Sequence, residues 1–171
     1  STLDLRWLHA ADHFDWVAGI YFRDQSIDLL RQYTFNPEDF SSRLDTQNLA
    51  AYGQLSVSLN DSVTLVTGLR AENRDNDYSD NSGLSAQPNE SLWGGRIALE
   101  YKPNERDFLY ALVSRGYKPG GFNLDESIDP VLREFDTETM LNYEVGYKSS
   151  LLNDRLRLQF SIFYQDRDAI Q

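Results

Sequence analysis

The side chains best equipped for chemistry fall into three groups. Asp75, Asp77 and Asp80 could offer carboxylate oxygens to calcium. An EF-hand loop wants Gly at its sixth place and Glu at its twelfth. Counted from Asp75, those places hold Asp80 and Ala86. A solvated acidic stretch, Asn73–Asn81, is the better reading, with adventitious divalent-ion binding as the lesser one. His9 and His13 are the only histidines, there is no cysteine, and no His-Glu-x-x-His spacing occurs, so no metal ligands are assigned. Neither histidine lies near a Ser/Asp set and no Gly-x-Ser-x-Gly is present, so no catalytic residues, enzyme activity or cofactor are expected. The third group is aromatic and cationic: Tyr33, Phe35, Phe40, Tyr78 and Phe122, with Arg31 and Arg43, all in long connections. Stacking rings beside a few guanidinium groups suit a large, partly aromatic ligand. The competing reading is that these rings pack their own loops, since a pocket uses only a few groups. In Tyr117–Phe122 the first role is structural: Pro119 presets φ, and Gly120 and Gly121 supply the freedom a tight turn needs.

The elements that must position these residues are strands. Apolar and polar residues alternate with period two over eight runs, about 2–9, 14–27, 46–59, 62–74, 91–102, 107–117, 137–149 and 155–168. In the fourth run Val63, Leu65, Thr67, Leu69 and Ala71 oppose Thr64, Gly68, Arg70 and Glu72. In the eighth, Leu156, Leu158, Phe160, Ile162 and Tyr164 oppose Arg155, Arg157, Gln159 and Ser161. The sixth is ambiguous, because Leu109, Ala111 and Val113 compete with Phe108, Tyr110 and Leu112. Soluble strands average about 5–6 residues, whereas a tilted strand needs ~9–11 to cross a bilayer, and most of these runs are that long. In seven of the eight the central stretch of the apolar face holds no charge; a Lys or Arg there would cost roughly 2–4 kcal/mol at the bilayer midplane. Opposite it stand Arg70, Glu72, Arg96, Glu100, Glu144 and Lys148, which suit a wet or plugged lumen and not a dry core. Short connections (10–13, 60–61, 103–106, 150–154) alternate with long ones (28–45, 75–90, 118–136), the asymmetry of an outer-membrane barrel.

Composition agrees. Sixteen Lys+Arg against 27 Asp+Glu give a net charge of −11, which argues against a nucleic-acid partner. Aromatic residues make up 13% of the chain, as the girdles at two lipid–water boundaries require. No apolar run is long enough for a transmembrane helix. The first residues lack the pattern of a signal peptide, so the chain is expected to be mature or cut from something larger.

The stretch Leu112-Val-Ser-Arg-Gly-Tyr-Lys-Pro-Gly-Gly-Phe-Asn123 resembles a motif of TonB-dependent outer-membrane receptors. In that family such a strand end is followed by a loop, then a strand like Glu138–Ser149, a short turn and a strand like Arg155–Asp166; all occur here in order. Ala51–Gln54, Leu65–Arg70 and Leu99–Pro103 also resemble the family's barrel. The resemblance covers roughly 46–171 and more loosely 1–45, and is nearest to the iron–siderophore branch, including yersiniabactin/pesticin receptors. It implies an all-β, antiparallel transmembrane β-barrel with eight strands of a wall of about 22. Residues 1–171 would then be a portion of the barrel domain, with the plug domain absent from this sequence. It further implies active import of a ferric siderophore or similar scarce ligand across the bacterial outer membrane, with energy from TonB acting through parts not in this sequence. Outer-membrane lipid is the other partner. The ligand-binding residues expected on the outer side are Arg31, Tyr33, Phe35, Phe40, Tyr78, Tyr117 and Phe122. Two alternatives remain at this point: a complete eight-stranded outer-membrane barrel with a structural or adhesive role, and a soluble lipocalin-like barrel.

Overall fold

Alternation of period two becomes long antiparallel strands. A computed structural model describes residues 1–32, 34, 39–123, 128–129 and 132–170. The strands are β1 (Thr2–Ala10), β2 (Phe14–Arg31), β3 (Phe40–Asn60), β4 (Val63–Asp80), β5 (Ser85–Ala86), β6 (Asn89–Tyr101), β7 (Asp107–Lys118), β8 (Gly121–Phe122), β9 (Glu134–Phe135), β10 (Glu138–Leu151) and β11 (Leu156–Asp168). One sheet runs β1-β2-β3-β4-β6-β7-β10-β11, with β5 beside β4; β8 and β9 form a separate two-stranded ladder. A closed eight-stranded barrel would need β1 to pair with β11. Among the described residues it does not, and both are edges of an open sheet.

Asparagine side chains shape two of the short turns. Asn60 Oδ1 accepts from the amides of Ser62 and Val63 at 2.9 and 3.0 Å, and Asn104 Oδ1 accepts from those of Arg106 and Asp107 at 2.8 and 3.0 Å. This is the Asx geometry that lets a strand reverse within a few residues. At the other end, the long connections expected at 28–45 and 75–90 are largely strand: β2 continues to Arg31, β3 begins at Phe40, and β4 continues to Asp80. The reason is physical. Past the oily band the outward face carries Asp28, Arg43, Asp45, Asp75 and Asp77, so the alternation of apolar with polar residues fades while the ladder continues.

Register places the two faces. Ile97, Val113, Tyr143 and Tyr164 stand opposite one another in succession across β6, β7, β10 and β11. Leu5, Ile20, Ala51, Ala71 and Trp93 do so across β1 to β6. This oily face is the open one: Leu69 is 60% exposed, Val145 62% and Phe160 60%. The ambiguity of the sixth run is settled by its neighbours, because pairing with Ile97 and Tyr143 puts Leu109, Ala111 and Val113 on the oily side and Tyr110 and Leu112 on the other. The second face carries Arg6, Tyr52, Arg70, Arg96, Glu144 and Lys148, as the alternation requires. The exposed oily face thus lies opposite the charged one.

Candidate ligand-binding site on the inner wall

On the inner face, tyrosines lie over glycines on neighbouring strands. Gly19 and Tyr52 are directly opposite across β2 and β3, and Gly146 and Tyr110 across β10 and β7. A Cβ on Gly19 would sit 2.5 Å from the Tyr52 ring, and one on Gly146 would clash with ring and hydroxyl atoms of Tyr110. Tyr117 leans across Gly94, whose Cβ would meet its ring at 3.2 Å. In each case the missing side chain lets the ring lie flat on the sheet and carry its hydroxyl to a carboxylate. Tyr52 donates to Asp4 at 2.7 Å, Tyr110 to Glu144, and Tyr117 to Glu72 at 3.0 Å.

The last of these belongs to a network. Arg70 Nη2 lies 2.6 Å from Glu72 Oε2, Arg70 Nε donates to the Tyr117 hydroxyl at 3.2 Å, and Asn48 donates to Glu72 Oε1 at 2.5 Å. The Arg70 guanidinium sits 5.2 Å over the Tyr21 ring. Nearby, Arg96 donates to Gln54 at 2.6 Å. Arg6, Tyr21, Tyr52, Arg70, Arg96 and Tyr117 surround one concavity of about 820 Å³. Cationic forks beside aromatic faces, with fixed hydroxyls between them, can hold an anionic, ring-bearing ligand.

The outer ends carry a different cluster. Arg133 and Asp80 form an ion pair at 3.0 Å, with side chains 2% and 0% exposed. Arg133 also donates to Ser82 Oγ at 3.0 Å and to the Ile128 carbonyl at 2.9 Å, and lies 6.0 Å over the Phe40 ring. Phe122 stacks on Tyr78 at 4.4 Å. The pair thus clamps the connection between β7 and β10 onto the ends of β3 and β4. Burial pushes the Asp80 carboxyl up. Donation from the Ser82 hydroxyl, the Leu84 amide, the Tyr78 hydroxyl and the Ser82 amide outweighs it, leaving the carboxyl below its ordinary 3.8. A lowered folded-state value contributes stability that is complete above 3.8 and lost as pH falls through the folded value. Amide exchange at β8 and β9 is therefore expected to rise only below about pH 4. Arg133→Ala should raise it at neutral pH. Breaking a buried pair from one side costs about 3–5 kcal/mol, and the loss here should fall at the low end because Asp80 keeps its other donors.

Of the expected ligand residues, Phe40, Tyr78 and Phe122 come together in this clamp. Phe40 and Tyr78 are 1% and 0% exposed, so their rings present no surface to a ligand in this conformation. Phe40, Tyr78 and Arg31 lie on strand ends rather than in loops; Arg31 is exposed and opposite Phe40 in the β2–β3 ladder. Tyr117 joins the inner-wall network instead. Tyr33 and Phe35 lie outside the described residues. Arg43 is on the outward face, 2.8 Å from Asp45 and 3.8 Å from Asp28, away from the concavity. Asp75 and Asp77 share that outward face, whereas Asp80 is turned to Arg133. Sequence reasoning assigned Arg70 and Arg96 to the inner face but did not single out Tyr21, Tyr52, Arg70 or Arg96 as ligand contacts. The available signal was inward-facing glycines within charged strands, which mark places where a ring must lie close.

Residues 1–171 match the family described as TonB dependent receptor-like, beta-barrel. The chain is 24% identical to the pesticin receptor of Yersinia pestis over 167 residues, which are 92% of this chain and 24% of that protein. It is 28% identical to the ferric-pyoverdine BN7/BN8 receptor of Pseudomonas putida over 139 residues, 78% of this chain and 17% of that protein. Among solved structures it superposes on the ferric yersiniabactin uptake receptor FyuA from Yersinia pestis with a TM-score of 0.79 at 22% identity, covering 99% of this chain and 28% of that one. The alcaligin outer-membrane receptor FauA from Bordetella pertussis gives a TM-score of 0.68 at 19% identity, covering 99% and 29%. The chain thus spans about a quarter of the length of the relatives it matches.

Proposed function

This chain belongs to the family of TonB-dependent receptor β-barrels, proteins of the outer membrane, and from that premise we propose that it forms part of the wall of a receptor importing a ferric siderophore. The observation that carries this reading is the gathering of Arg6, Arg70 and Arg96 with Tyr21, Tyr52 and Tyr117 around one inward concavity, opposite an oily outer face. Ferric siderophores present anionic oxygen donors and often aromatic rings. Guanidinium groups and tyrosines offer charge-assisted hydrogen bonds and stacking to both. Its relatives, receptors for ferric yersiniabactin, ferric pyoverdine and pesticin, support the same class.

Import of this kind needs no covalent step. The wall binds and guides; in this reading a plug domain and TonB, acting through other parts of the intact protein, release the ligand inward. Radioactive iron uptake tests it. Cells lacking their own siderophore receptors and expressing the intact protein should accumulate iron from one of a panel of ferric siderophores, and deletion of TonB should abolish that uptake. Absence of TonB-dependent uptake across hydroxamate, catecholate and mixed phenolate chelates would overturn the proposal.

A further inference from the structure

The inner wall carries a second cationic group well away from the concavity. Lys148 and Phe108 are directly opposite across β10 and β7. Lys102 follows Tyr101, the last paired residue of β6, and its amide donates to the Ser62 carbonyl at 2.7 Å. The Phe108 ring therefore lies between two lysines from neighbouring strands. Each ammonium nitrogen is 5.5 Å from the ring centroid, and that of Lys148 is also 5.6 Å from the centroid of Tyr110. One rung nearer the turn, Arg157 stands opposite Ser150 on the same face.

Both lysines are exposed, and neither is ion-paired among the described residues. The chain has a net charge of −11, yet the carboxylates near these lysines are engaged elsewhere or stand apart. Asp107 is on the outward face and accepts from Tyr147 at 2.7 Å, and Glu144 accepts from Tyr110. Glu100, opposite Tyr110, pairs with neither lysine. Each ammonium is favoured by the ring beside it, but the two repel one another, and an anion between them would remove that repulsion. Along β6, Lys102 stands roughly 20 Å from Arg96 at about 3.3 Å per residue. Between them the inner face carries an uncharged rung of Val66, Ala98 and Leu112. The lysines flank the short turn 103–106, and short turns mark the periplasmic end of such a wall.

We propose that Lys102 and Lys148, on either side of Phe108, form an exit station that holds the anionic metal chelate after it leaves the arginine concavity. The assignment rests on the import reading given above. Guanidinium forks that hold an anion well also slow its departure. A second pair of cations farther in lowers the energy of the departed state. Lysine suits that task, because its ammonium is a mobile point charge without the fixed fork of arginine and lets an anion go more readily. Phe108 and Tyr110 offer the same chelate an aromatic surface.

Binding and uptake by the intact protein, measured on the same cells, test it. The probes are radioactive iron complexes of one hydroxamate, one catecholate and one mixed phenolate siderophore, and the best imported is carried forward. The double variant Lys102→Gln/Lys148→Gln should keep wild-type affinity at the cell surface when TonB is absent. Its TonB-dependent uptake at saturating chelate should be about fivefold slower. Lys102→Arg/Lys148→Arg keeps the charge and should recover most of the rate, which a role in packing alone would not give. Wild-type uptake by the glutamine pair would overturn the station and leave the import reading standing. A wild type that imports none of the complexes would overturn both. If the glutamine pair admits vancomycin without TonB, the lysines hold another part of the protein against the wall, and the station is again overturned. Heat-modifiable migration reports folding. Should the pair fail to fold, Lys148→Gln alone decides: uptake about twofold slower is expected, and a wild-type rate overturns the assignment.

Discussion

Gly146→Ala and Gly19→Ala are expected to cripple assembly of the barrel wall, and only the first should be fully rescued by trimming the opposing tyrosine. A Cβ at Gly146 would be met by ring and hydroxyl atoms of Tyr110. A Cβ at Gly19 would meet the Tyr52 ring at 2.5 Å and also the Leu5 carbonyl oxygen at 2.8 Å. Overpacking typically costs about 1–3 kcal/mol. Here the ring must also leave its carboxylate, adding roughly 1–3 kcal/mol for a charge-assisted hydrogen bond lost and a partner left unsatisfied. The folded fraction, read as the heat-modifiable band and as urea resistance in lipid vesicles, should fall sharply in both. Tyr110→Ser should restore Gly146→Ala, because a flexible side chain is the obstacle. Tyr52→Ser should restore Gly19→Ala only in part, because the Leu5 carbonyl belongs to the adjacent strand and cannot move without breaking the ladder. Wild-type folding in both single variants would show that the rings do not rest on these glycines.

The second large effect concerns binding. Arg70→Ala or Arg96→Ala in the intact protein should each weaken ferric siderophore binding about tenfold, which corresponds to about 1.4 kcal/mol. The double variant should lose about a hundredfold or more, since each removes a separate fork from the same concavity. Arg70 matters twice. It would contact the ligand, and it neutralises Glu72, whose side chain is only 7% exposed. Without Arg70 an anionic ligand would face an uncompensated carboxylate. Glu72→Gln in the Arg70→Ala background should therefore recover part of the lost affinity. Arg43→Ala is the control: Arg43 carries the same charge on the outward face beside Asp45, and its loss should leave affinity unchanged. Equal losses from Arg43→Ala and Arg70→Ala would mean that net charge, and not the inner wall, attracts the ligand. Full affinity in the double variant would remove the concavity from the binding site.

What could be read before any fold was known was the contrast between the two sides of each strand. Leu69 against Arg70, Ile97 against Arg96 and Val145 against Glu144 alternate because one face meets hydrocarbon and the other a central aqueous space. That difference in surroundings is written locally, residue by residue, so it determined the eight long strands, their antiparallel order, the short turns and which face is oily. Where the difference vanishes, so does the signal. Past the oily band the outward face turns polar, at Arg43, Asp45, Asp75 and Asp77, and the strand ends at Arg31, Phe40 and Asp80 read as loops although the ladder continues through them. The sixth run, apolar on both sides, could be oriented only by Ile97 and Tyr143 across from it. The rest depends on register between strands, which no single strand contains. Only the tertiary structure decided that Tyr52 lies on Gly19 and Tyr110 on Gly146, that Tyr117 reaches Glu72, and that Arg133 seals Asp80 far along the chain. Those contacts form because pairing brings a missing side chain opposite a ring, or a buried charge opposite its counter-ion. Proximity of that kind is a property of the assembled sheet.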